Sequence, residues 1–84
     1  MQKSYIITIL KKSSRQKRNL GKPSSIENQR IVLRNIWEKE IEKHKNNAVW
    51  VGNLMCDSFY CHNWETGEDV FYRIEEYMDR LMSN

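Results

Sequence analysis

The chain has 84 residues, 39% of them apolar and 30% charged, with a net charge of +3. That length holds one small domain, residues 1–84, and excludes a fold that encloses a large substrate. The composition supports a packed core rather than a disordered chain, and the longest apolar run, Tyr5 to Leu10, is too short to span a bilayer. With no apolar region or cleavage site of a signal peptide at the start, the expectation is a cytoplasmic protein without membrane contact.

In chain order, Tyr5-Ile-Ile-Thr-Ile-Leu10 is rich in β-branched residues and apolar on both alternating faces, which predicts a strand inside a sheet. Residues 11–23 lack apolar periodicity and read as a basic loop or arm. A hairpin turning near Ser13-Ser14 is the alternative, with Leu20 as its one apolar anchor. Ser24-Ser-Ile-Glu27 fits a capping box on Ser24. It opens a helix with Ile26, Leu33, Trp37 and Ile41 at helical spacing and an end near Asn46-Asn47. Ala48 to Leu54 reads as a second strand, with Val49 and Val51 on one face and Trp50 on the other. After a turn at Met55 to Ser58, Ser58 to Trp64 reads as a third strand. Thr66-Gly-Glu-Asp69 then predicts a second helix with an acidic first turn and an apolar stripe of Val70, Phe71, Ile74, Tyr77, Met78 and Leu81. The expected fold class is α+β in the order β-α-β-β-α: a three-stranded sheet with two amphipathic helices on one face. The other face is left bare.

Charge is distributed unevenly along the chain. Residues 1–22 hold Lys3, Lys11, Lys12, Arg15, Lys17, Arg18 and Lys22 without one acid, a block of +7; residues 23–55 sum to +1 and residues 56–84 to −5. The arm offers ammonium and guanidinium groups beside small hydroxyls, the groups that contact phosphate oxygens. Seven phosphate contacts on a single strand would give a log–log salt slope of about −5, from roughly −0.7 per contact. The candidate nucleic-acid-binding residues are Lys11, Lys12, Arg15, Lys17, Arg18 and Lys22, with Arg30 and Arg34 from the adjoining helix.

Tyr60-x-His62-x-Trp64 shares one strand face and offers rings for stacking on unpaired bases, but a small domain needs its Trp residues inside, so these rings are expected beneath the helices. Cys56, Cys61, His62 and His44 are the potential metal ligands. Adjacent strand residues Cys61 and His62 point to opposite faces, so no metal or other cofactor is expected. His44 and His62 are the possible general bases, yet no nucleophile or orienting acid has a diagnostic spacing, and the expectation is a protein that is not an enzyme. The acids Glu68, Asp69, Glu75, Glu76 and Asp79 would flank the second helix and offer a docking face for a basic partner or for the arm of another copy.

Val49-Trp-Val-Gly-Asn-Leu54 resembles the short strand motif of the RNA-recognition-motif family. The match covers six residues, the longer second motif has no counterpart in Asp57 to Trp64, and no family residue is carried over. In general type the chain is similar to small phage accessory proteins that inhibit host factors, being short and rich in Lys, Asn and Ile. That resemblance implies a host protein, such as a toxin or nuclease, as a partner. The leading expectation is an RNA- or other nucleic-acid-binding accessory protein. A non-enzymatic inhibitor or adaptor, docking through the acidic helix or the bare sheet face, is the alternative, and a homo-oligomer built on that face is the third.

Overall fold

Apolar residues on both faces of Tyr5–Leu10 suit a strand with neighbours on each side. The computed structural model, which describes residues 3–78, places it there. The elements are β1 (Ser4–Lys11), β2 (Gln16–Ser24), α1 (Ile26–His44), β3 (Val49–Val51), β4 (Ser58–Asn63) and β5 (Asp69–Tyr77). They form one five-stranded sheet in the order β2-β1-β5-β4-β3, antiparallel at every pairing. α1 covers one face. The fold remains a small α+β domain, but the expected three-stranded sheet with two helices is overturned.

Two segments account for the difference. Residues 11–23 are not a free arm; they turn at residues 12–15 and return as β2, paired with β1 from Lys11↔Gln16 to Tyr5↔Ser24. β2 is an edge strand, exposed along most of its length, so only Leu20 needs to be apolar and no periodicity marks it. The expected second helix is β5. Val70, Tyr72 and Ile74 alternate toward α1 while Phe71, Arg73 and Glu75 face the other way, a period of two that the helical stripe concealed. The β-branched and aromatic content of this segment favours the strand, and β1 and β4 flank it on both sides. Asp79 and Leu81, assigned to the same helix, lie outside the described residues.

The core lies between α1 and the inner face of the sheet. Ile7, Ile9, Phe59, Cys61 and Tyr72 from three strands meet Leu33, and Ile36 and Trp37 pack against them. Phe59 and Tyr72 stack with centroids 4.6 Å apart. Two polar side chains of α1 are paired, Gln29 Nε2 donating to the carbonyls of Tyr5 (2.8 Å) and Lys22 (3.0 Å) and Trp37 Nε1 donating to the Gly52 carbonyl at 2.8 Å, while Glu40 Oε2 is buried without a hydrogen bond. The Tyr72 hydroxyl donates to Glu40 Oε1 at 2.8 Å. The helix cap falls one residue later than the box predicted. Ser25 is the N-cap, its Oγ accepting from the Asn28 amide at 3.2 Å, while Ser24 closes β2.

Candidate nucleic-acid interface

With α1 on one side, the opposite face of the sheet is uncovered, and strand register arranges its side chains in rows. Leu10, Phe71 and Tyr60 form one row across β1, β5 and β4; Thr8, Arg73 and Ser58 form the next. Tyr60 and Phe71 stack with centroids 5.5 Å apart, and Trp50 of β3 meets Tyr60 edge-on at 5.3 Å. Gly52 allows this, because a Cβ there would come within 3.3 Å of the Trp50 ring. A concavity of about 670 Å³ runs over these rings, bordered by Lys17, Arg73, Glu75 and Met55. Tyr60, Trp50 and Trp64 are 39%, 45% and 68% exposed, so Tyr60 and Trp64 do not pack beneath a helix as expected.

The polar border is an ion-pair network. Lys17 Nζ lies 2.7 Å from Glu75 Oε1, the Thr8 hydroxyl donates to Glu75 Oε2 at 2.8 Å, and Arg73 approaches the same carboxylate at 4.0 Å. Burial works to raise the Glu75 pKa, but the hydrogen bonds from Lys17 and Thr8 outweigh it and hold the carboxyl below its ordinary range. On the helix side the opposite holds: burial pushes the Cys61 thiol up to about 11, and burial with the Glu40 hydrogen bond raises Tyr72.

The eight basic residues singled out in the sequence do not converge. Lys12 and Lys17 belong to the uncovered face, pairing with Asp69 at 3.7 Å and Glu75 at 2.7 Å. Lys11 and Arg18 alternate onto the helix side of the hairpin, and Arg15 occupies its turn with φ 55°. Lys22 is exposed near the end of β2, where its carbonyl accepts from Gln29. Arg30 is tied to Asp57 by two hydrogen bonds of 2.9 and 3.2 Å, which raise its pKa, and Arg34 lines the same small hollow. Both helix arginines are therefore remote from the rings. Among the described residues, Lys11, Arg15, Arg18 and Lys22 have no carboxylate within 4.0 Å, unlike Lys12 and Lys17.

Sequence reasoning passed over Leu10 on β1, and over Phe71 and Arg73, whose placement depends on β5 being a strand. Trp50 was legible, since it alternates with Val49 and Val51. Of the candidate metal ligands, Cys61 and His44 line one small hollow on the helix side, whereas His62 lies on the uncovered face and Cys56 is exposed in a turn. No protein family, curated protein or solved structure matches the chain.

Proposed function

We propose that the protein binds single-stranded RNA across the uncovered sheet face, without catalysis, as an accessory factor. The observation that carries this reading is the cluster of rings on the uncovered face, exposed Trp50 and Tyr60 with half-buried Phe71, beside a hairpin whose cations are partly unpaired. Flat rings on a sheet stack on unpaired bases, whereas paired bases in a duplex bury their faces against one another. The phosphate contacts come from Lys11, Arg15, Arg18 and Lys22 along the hairpin, whereas Lys12, Lys17 and Arg73 beside the concavity are held by Asp69 and Glu75. Arg30 is engaged by Asp57 on the far side and drops out of the binding set.

Fluorescence anisotropy with a labelled single-stranded RNA, titrated from 50 to 200 mM salt, tests the reading. Tyr60→Ala and Phe71→Ala should each weaken binding on the order of tenfold, from about 1–3 kcal/mol per stacked base, with the melting temperature falling more for half-buried Phe71 than for exposed Tyr60. Changing Lys11, Lys12, Arg15, Lys17 and Arg18 together to Ala should flatten the salt dependence. Absence of binding at 50 mM salt, or equal binding of a duplex that ignores the loss of both rings, would overturn it.

A further inference from the structure

The uncovered face continues past the rings. Two residues beyond Tyr60 on β4, His62 occupies the same face, directly opposite Asp69 on β5. Its Nδ1 lies 2.6 Å from Asp69 Oδ1. An ionised carboxylate only accepts, so Nδ1 carries the hydrogen, and in the neutral ring the lone pair falls on Nε2. Two further contacts hold the pair. Lys12 approaches the other oxygen of Asp69 at 3.7 Å, and Trp64 meets the imidazole edge-on with centroids 4.6 Å apart. Trp50 is the register partner of His62 on β3, so rings adjoin the imidazole on its own strand and the next.

In the neutral ring Nε2 is therefore an acceptor, on a residue roughly 6.6 Å along the strand from Tyr60 at about 3.3 Å per residue. That step is comparable to the span from a stacked base to its own ribose. A ribose there presents a 2′-hydroxyl, which can donate to a lone pair; a deoxyribose presents only C–H, and the 2′-hydroxyl is the group by which proteins separate RNA from DNA. Resting on the binding reading above, we propose that His62, oriented by Asp69, accepts the 2′-hydroxyl of a bound strand and makes this face select RNA over DNA.

The test compares three labelled single strands of one sequence, as RNA, as DNA with deoxyuridine, and as 2′-O-methyl RNA, against the full chain. RNA should bind roughly five- to tenfold more tightly than DNA, the difference one net hydrogen bond makes, and 2′-O-methyl RNA should behave like DNA because it has lost the donor. His62→Leu should bring the RNA-to-DNA ratio to about one with DNA affinity nearly unchanged. His62→Gln keeps a carbonyl acceptor and should restore most of the ratio, a recovery that a merely structural role for the ring does not produce. A wild-type ratio near one with measurable binding, or a ratio that survives His62→Leu, overturns the inference while leaving the binding reading intact. Failure of all three strands to bind overturns both.

Discussion

Glu75 concentrates the electrostatics of the uncovered face in one side chain. It accepts from Lys17 and Thr8 and lies beside Arg73, and these partners lower its pKa from the ordinary value of 4.5 despite partial burial. A carboxyl whose folded pKa is depressed stabilises the fold above its unfolded value and loses that contribution as the pH falls through the folded one. Glu75→Gln should therefore cost on the order of 1 kcal/mol at pH 7, discounted for the exposed Lys17 partner, and the gap from wild type should close as the pH falls below 4.5. Thermal melts from pH 7 to pH 3 measure it; a gap of constant size would contradict the pairing. On the other face Leu33, 1% exposed, is the apolar centre of α1, and Leu33→Ala should cost roughly 2–5 kcal/mol in urea unfolding. Leu33 could be read from helical spacing. Glu75 could not, because its partner Lys17 is 58 residues away.

The turn between Met55 and Ser58 shows how an element can form against local preference. Met55 and Ser58 exchange backbone hydrogen bonds of 2.9 and 3.0 Å, and the two residues between them, Cys56 and Asp57, have φ of 51° and 58°. Positive φ at both central positions marks a type I′ turn, which favours Asn-Gly or Asp-Gly. Asp57 tolerates the conformation and is anchored by Arg30; Cys56 has no such partner and carries a Cβ penalty. Cys56→Asn should raise the melting temperature by several degrees, about 1 kcal/mol in a domain of this size, and a lower melting temperature would argue against stored strain. At the start of α1, Ser25→Ala should cost about 1 kcal/mol and Ser24→Ala less, because Ser25 holds the backbone cap. The helix itself was legible from its period. β5 was not, since its segment satisfies the helical spacing through Val70, Phe71, Ile74 and Tyr77 and the strand alternation through Val70, Tyr72 and Ile74; only the flanking strands choose between them.

Taken as a whole molecule, the charge segregation of the sequence is partly cancelled by folding. Antiparallel pairing of β1 with β5 brings the basic and acidic ends together: Lys3 meets Glu76, Lys12 meets Asp69, Lys17 meets Glu75, and the Ser13 hydroxyl donates to Glu68. Glu68, Asp69, Glu75 and Glu76, four of the acids expected to offer a docking face, thus meet the chain's own basic segment. This revises the electrostatic expectation for RNA. With four hairpin cations unpaired among the described residues, the salt slope should be near −3 rather than −5, at roughly −0.7 per phosphate contact. Glu75→Gln releases Lys17 and should tighten RNA binding while steepening the slope by about 0.7. A slope unaffected by that change would show that Lys17 makes no phosphate contact.

Local patterning in the sequence was enough for β1, α1, the short strands at Val49 and Ser58, the alternation of Trp50 with Val49 and Val51, and the concentration of basic residues before Pro23. Each of these rests on contacts or periodicities within a few residues. Edge pairing turned a polar, aperiodic segment into β2, and flanking strands turned an ambiguous apolar stripe into β5. The pairing of β5 with β4 in turn brought Phe71 to Tyr60 and Asp69 to His62. Those outcomes depend on hydrogen-bonded partners far away in the chain, whose energy does not appear in any local window. The net charge of +3 was fixed by composition; where that charge remains free to meet a phosphate was fixed by the register of β1 against β5.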